Sequence, residues 1–234
     1  GEPVGEDGRQ GGVGENWSQH QANISRTRRE KANMLLSGCR RPKSKGPFMF
    51  LRVKNVLSVA EVEQARQLAK AVRFMDGRAS NPHNLAKNNL QADMAGAEAQ
   101  KASQIAGAAI ARNEEVRNFA FPKRIATPLL SRYEPGMTYG VHSDAAFLPL
   151  PNAPLRSDVS ATLFLGDPAT YDGGELRIHL GTESVTIKGN PGEMIVYPSN
   201  TLHEVVPVTR GQRLAFFTFM ESNIPDHGER ELLY

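Results

Sequence analysis

From Arg124 onward the chain reads as a run of short segments rich in β-branched and aromatic residues. They are Ile125–Tyr133, Asp158–Leu165, Glu175–His179, Ser184–Lys188, Glu193–Tyr197, His203–Val208 and Arg213–Met220. Turn residues punctuate them: Asp172-Gly173-Gly174, expected as a hairpin turn, then Gly189-Asn190 and Pro191-Gly192. Strands this short, following a helical first half, point to the α+β class. An antiparallel sandwich or double Greek key forms the main body.

The first half is simpler. Phe48–Val56 reads as a strand, and Ser58 with Glu61 three residues later is a capping box that opens a helix. Val62, Ala65, Leu68, Ala69 and Val72 follow at helical spacing. Residues 75–92, polar and containing Asn and Gly, read as a loop. An Ala-rich helix is expected over Asp93–Asn118, with Ile105, Ala108, Ala109 and Ile110 toward the core.

Residues 1–48 are of another character. Gly, Ser, Asn, Gln and charge dominate, so too little apolar surface is available to offset the entropy of ordering. We expect a flexible basic leader, a remnant of an expression vector, or sequence upstream of a start at Met49. The folded domain is then 49–234. Leu36-Ser37-Gly38-Cys39 resembles a lipoprotein box and Arg28-Arg29 a twin-arginine signal. Both need an apolar run, and only Met34-Leu35-Leu36 is present. Asn16 and Asn23 head glycosylation sequons without other signs of secretion.

Charge and cysteine narrow the function. Of 28 Lys and Arg and 25 Asp and Glu, nine and five lie in residues 1–48, leaving 19 and 20 for the rest. The pI of 9.1 is thus a property of the leader, and the nearly neutral body argues against a nucleic-acid partner. The single cysteine, Cys39, excludes an internal disulfide and suits a cytoplasmic protein. No stretch approaches the ~18 apolar residues of a membrane span.

The chemistry gathers in Arg132–Asp144, RYEPGMTYGVHSD, which ends in His142-x-Asp144. On a strand, positions i and i+2 share a face, so imidazole and carboxylate would stand side by side. His203 lies far downstream, with Arg213 ten residues beyond it. Two histidines and one carboxylate form the facial triad of non-haem Fe(II) oxygenases. The other histidines, His20, His83, His179 and His227, read as surface or hydrogen-bonded residues. Arg213 shares its strand face with Ala215, Phe217 and Phe219, and a charge on an apolar face needs a partner.

RYEPGMTYGVHSD, DVSATLFL, YDGGEL, PGEMIVYPSNTLHEV and PVTRGQR together resemble the Fe(II)- and 2-oxoglutarate-dependent dioxygenases. Within these the chain resembles the PKHD-type hydroxylases, bacterial relatives of prolyl 4-hydroxylases, from about Met49 to Leu233. The resemblance implies a double-stranded β-helix, or jelly roll, with N-terminal helices packed on one side. It implies Fe(II) at His142, Asp144 and His203, the 2-oxoglutarate carboxylate at Arg213, and Tyr133 helping to hold that co-substrate. Ascorbate is implied as a reductant, and the reaction as hydroxylation of a C–H bond with release of succinate and CO2. Tyr139 and the stretches 76–92 and 145–157 would frame the substrate mouth. Phe164 stands where many prolyl hydroxylases carry tyrosine; Thr162 or Thr218 is a candidate replacement. The substrate, peptidyl prolyl or lysyl residue or small molecule, is open, as is a homodimer. A cupin-like metal protein and an AlkB-like demethylase are the alternatives.

Overall fold

The computed structural model describes Gly1 and residues 50–80, 84–150 and 153–234. The leader readings, His20 and His83 lie outside the described residues.

The first strand, β1 (Leu51–Val53), is shorter than the expected 48–56. Asn55 takes a left-handed φ of 54° and turns the chain away. Helix α1 (Val59–Ala71) begins as its sequence dictates: Ser58 Oγ accepts from the Glu61 N–H at 3.3 Å, and the Glu61 carboxylate accepts from the Ser58 N–H at 2.9 Å. Val62, Ala65 and Ala69 are buried along one face.

The described residues of 75–92 are not all the loop expected: they include the end of β2 (Phe74–Asp76), one 3-10 turn (Gly77–Ser80), β3 (Lys87–Asn88) and β4 (Leu90–Ala92). Buried Lys87, Asn89 and Gln91 give this segment its loop-like composition. The single helix expected over 93–118 is two, α2 (Ala97–Arg112) and α3 (Glu114–Ala120). Asn113 is extended between them, and its Oδ1 accepts from the Val116 N–H at 3.0 Å, so the residue that ends α2 caps α3. In α2, Ala109 and Ile110 are buried and Ile105 partly so, but Ala108 is exposed, and Ala102 and Ala106 face the core instead. Alanine lines several sides of this helix, so little periodicity was available to orient it.

The strand expected over 125–133 is β5 (Pro122–Ile125) and β6 (Leu129–Tyr133), divided at Pro128, which has no N–H for a ladder. There follow β7 (Thr138–His142), β8 (Phe147–Leu148), β9 (Leu155–Arg156), β10 (Val159–Phe164), β11 (Leu176–Leu180), β12 (Glu183–Ile187), β13 (Met194–Pro198), β14 (His203–Val205), β15 (Arg213–Ser222) and α4 (His227–Leu233).

Every pairing is antiparallel. The larger sheet runs β1-β13-β10-β15-β6-β4-β2, with β5 also on β15; the smaller runs β12-β11-β14-β7-β3; β8 and β9 pair alone. Asp172-Gly173-Gly174 is therefore not a hairpin turn: it carries the chain from one sheet to the other. Both glycines have positive φ, 71° and 67°, and a Cβ on Gly173 would fall 2.0 Å from the Pro207 carbonyl oxygen.

Strand periodicity sorts the larger sheet into two faces. Val159, Ala161 and Leu163 of β10 and Phe216 and Met220 of β15 join α1–α3 in one core. Leu130, Leu163 and Phe216, each no more than 1% exposed, contribute about 2 kcal/mol apiece there. Ser160, Thr162 and Phe164, with Arg213, Ala215, Phe217 and Phe219, take the opposite face. Strands covered on both sides lose their polar edge, which is why all of β10 is buried. The result is a double-stranded β-helix with helices on one side.

Candidate active site

β7 and β14 are neighbours in the smaller sheet, and their register sets His142 opposite His203. The ring centroids are 4.3 Å apart. His142 Nδ1 lies 2.7 Å from the Gly140 carbonyl oxygen and His203 Nδ1 2.9 Å from that of Thr201. An Nδ1–H donated to each carbonyl leaves both Nε2 lone pairs free, the tautomer a metal requires. The Nε2 atoms face Asp144, at 3.8 Å from Oδ1 and 3.7 Å from Oδ2. One ligand atom from each of the three lies within 4.8 Å of the others.

Asp144 reaches this place by a different route from the one expected. β7 stops at His142, so the i, i+2 relation of a strand does not hold. The Asp144 N–H instead donates to the Ser199 carbonyl at 3.0 Å, and Ser160 Oγ donates to Asp144 Oδ2 at 2.6 Å. Ser199 Oγ is 2.8 Å from both Ser160 Oγ and Ser157 Oγ. Because Ser160 gives its one proton to the carboxylate, the chain runs Ser157 to Ser199 to Ser160 to Asp144. One carboxylate lobe is thereby fixed by protein. Burial, and secondarily the neighbouring His203, push the His142 pKa down to about 4, so this imidazole is neutral at pH 7, as a ligand must be.

The triad opens into a cavity of about 510 Å³ between the sheets, within the usual size for a small-ligand site. Both stretches expected to frame it do so: Ser80 and Lys87 from one, Ala145, Leu148 and Leu150 from the other. Tyr139 lines it as well and stacks on His142 at 3.6 Å. The histidines read as unrelated to the site stay away: His179 is 3.4 Å from Glu204 and His227 3.5 Å from Glu231.

Arg213, only 2% exposed, begins β15 and pairs in register with Tyr133. Its guanidinium carbon is 5.1 Å from the Tyr133 ring centroid and 5.5 Å from that of Phe164. Among the described residues no carboxylate pairs with it, and its Nε has no hydrogen-bond partner. Gly174 makes room for its stem; a Cβ there would lie 3.1 Å from Arg213 Cδ. An unpaired guanidinium in this setting is costly. A dicarboxylate entering the cavity would supply the two parallel hydrogen bonds it lacks. Burial raises the Tyr133 phenol to about 12, opposed by the Arg213 charge. Tyr133 is thus a neutral donor beside the cation.

Of the two candidate threonines, Thr218 does not stand in for the tyrosine absent at Phe164, because it gives its proton to the Ala126 carbonyl at 2.6 Å; Thr162 lines the cavity. Sequence reasoning missed Lys87, Asn89, Ser160, Ser199 and Tyr197. The first two carried a signal, a polar residue at every second position of KNNLQ, that the loop-like composition hid.

Comparison with known proteins supplies the class. Residues 128–221 match the 2OG-Fe(II) oxygenase superfamily. A PKHD-type hydroxylase of Sphingopyxis alaskensis is 52% identical over 185 residues, 79% of this chain and 84% of the relative. Two solved structures share the fold. A prolyl hydroxylase from Trichoplax adhaerens, in complex with a hypoxia inducible factor oxygen degradation domain peptide, superposes with TM-score 0.54 at 20% identity, covering 80% of this chain and 87% of its own. HygX from Streptomyces hygroscopicus, with nickel and 2-oxoglutarate bound, gives 0.52 at 15%, covering 75% and 84%. The chain belongs to the PKHD-type hydroxylases of the 2OG-Fe(II) oxygenase superfamily. It is a 2-oxoglutarate-dependent iron dioxygenase.

Proposed function

We propose that His142, Asp144 and His203 hold the iron and that Arg213, with Tyr133 beside it, receives the distal carboxylate of 2-oxoglutarate. The observation that carries this is the pairing of two incomplete groups in one cavity. Three ligand atoms face one another at metal-binding range, and a buried guanidinium beyond them lacks a counter-charge. Iron and 2-oxoglutarate together supply O2 activation, with oxidative decarboxylation to succinate and CO2 coupled to hydroxylation of a C–H bond.

The protein's part is orientation and exclusion of water. The Gly140 and Thr201 carbonyls fix both imidazole tautomers. Ser160 holds one oxygen of Asp144 and so limits how that carboxylate turns. Phe217, Phe219 and Leu176 give the cavity its apolar walls. A volume of about 510 Å³ has room for 2-oxoglutarate and one small molecule or one extended side chain, and not for a folded domain. We assign catalysis to residues 49–234, in keeping with the compact unit Pro47–Tyr234, and place the enzyme in the cytoplasm on its single cysteine. Among the described residues no helix is long and apolar enough to cross a membrane.

The test is O2-dependent succinate formation from 2-oxoglutarate alongside metal analysis. The parent should bind stoichiometric iron and release succinate slowly even without its substrate. Asp144→Ala should lose both iron and succinate. Undiminished iron binding by Asp144→Ala would remove the triad assignment.

A further inference from the structure

Lys87 in β3, Asn89 between the strands and Gln91 in β4 occupy alternate positions, and all three are buried, at 5%, 3% and 6% exposure. Lys87 Nζ donates to Ser80 Oγ at 2.6 Å and approaches Gln91 Oε1 at 3.4 Å, while Ser80 Oγ donates to the same Gln91 oxygen at 2.8 Å. An ammonium has three N–H donors, so these partners leave one over. Among the described residues Lys87 forms no ion pair. The two carboxylates that act on its charge are engaged elsewhere: Asp76 with Arg78, and Asp144 with Ser160 and the histidines. Lys87 Nζ stands 5.5 Å from the ring centroids of both Tyr139 and Phe217, which line the cavity. Tyr139 in turn lies flat on His142. The positive charge is therefore on the cavity wall, one ring from the triad.

The charge count then becomes decisive, and it rests on the assignment of iron and 2-oxoglutarate made above. Two neutral imidazoles, the Asp144 carboxylate, a divalent iron, a dianionic co-substrate and Arg213 balance to zero. Lys87 is left as one uncompensated positive charge inside a largely apolar cavity, where a charge requires a partner. We propose that Lys87 anchors a carboxylate of the substrate, so that the enzyme hydroxylates an acid-bearing molecule held at that end by its carboxylate. Ser80 and Gln91 hold the ammonium in place, and the one remaining N–H meets the substrate. The carboxylate comes either from a small acid or from an acidic residue of a peptide.

The experiment measures binding of matched acids and amides. Parent, Lys87→Gln and Lys87→Arg are loaded with Fe(II) and 2-oxoglutarate without O2, and perturbation of the visible iron-to-2-oxoglutarate band is followed. The probes are N-acetylproline and N-acetylleucine with their carboxamides, and acetyl-Gly-Glu-Gly-amide with its Gln counterpart. The parent should prefer acid over amide at least tenfold in one of the two sets, which identifies the source. Lys87→Gln should lose that preference, and Lys87→Arg, which retains charge, should keep it. The 2-oxoglutarate titration should be alike in all three proteins. An unchanged preference in Lys87→Gln, no preference in the parent, or a parallel loss of 2-oxoglutarate affinity would each overturn the proposal. Absence of the band in the parent would instead overturn the co-substrate assignment, and the charge count with it.

Discussion

A guanidinium buried without a counter-charge weakens the folded chain until something pairs with it. Arg213→Met removes that charge at nearly constant volume, so its two effects should have opposite signs. Calorimetric titration should show 2-oxoglutarate affinity falling at least ~30-fold, the worth of a bidentate charge-assisted contact. Thermal unfolding without co-substrate should show a melting temperature unchanged or raised. Ser160→Ala is a subtler change. It deletes the hydroxyl that orients Asp144 while leaving all three ligands, and competition with a chelator should show iron affinity reduced about 10- to 100-fold. Arg213 was legible in the sequence because a charge on an apolar strand face, ten residues after a histidine, is out of place. Ser160 was not, because a serine in a buried strand has no pattern to mark it; only the fold shows Asp144 above it. The i, i+2 argument for Asp144 named the correct residue for a reason that the end of β7 at His142 does not support.

At the scale of elements, the joint between α1 and α2 gives a pH-dependent prediction. Arg112 donates to Glu61 at 2.7 Å, and this contact, followed by the Ser58 N–H, lowers the Glu61 pKa to about 2 from an ordinary 4.5. Between those values the unfolded chain binds more protons than the folded one, so stability rises with pH across the window. The Glu61 contribution is present above about pH 4.5 and is lost as pH falls toward 2. Glu61→Gln should lower the urea midpoint at pH 7 and flatten its decline between pH 4.5 and 2; an unaltered slope would contradict the pairing. Ser58→Ala, which removes the other half of the capping box, should cost about 1 kcal/mol. This helix start was readable from Ser58 and Glu61 alone, because a cap is a local interaction. β10 and β15 were readable because their apolar runs are long. β2 to β4 were not, since the buried polar residues Lys87, Asn89 and Gln91 give this segment the composition of a loop. The division of the 93–118 helix was also hidden, because Asn113 is tolerated inside helices and its capping role depends on the turn that follows.

Over the whole domain, the two sheets perform different tasks. The larger one is buried against the helices and holds Arg213 and Ser160; the smaller carries both histidines on adjacent strands. The site exists only where the sheets face each other, so its ligands, 61 positions apart from His142 to His203, are brought together by register and not by local sequence. The near-neutral body and the ordered motifs identified the class, whereas the cavity and its surplus lysine arise only in the folded chain. Anaerobic titration with Fe(II) and 2-oxoglutarate, read in visible absorbance, bears on all of these parts at once. We predict a weak charge-transfer band that saturates at one equivalent of each, is absent in His142→Ala, and needs at least ~30-fold more 2-oxoglutarate in Arg213→Met. An iron-loaded parent that develops no band, or an Arg213→Met protein that titrates like the parent, would contradict it.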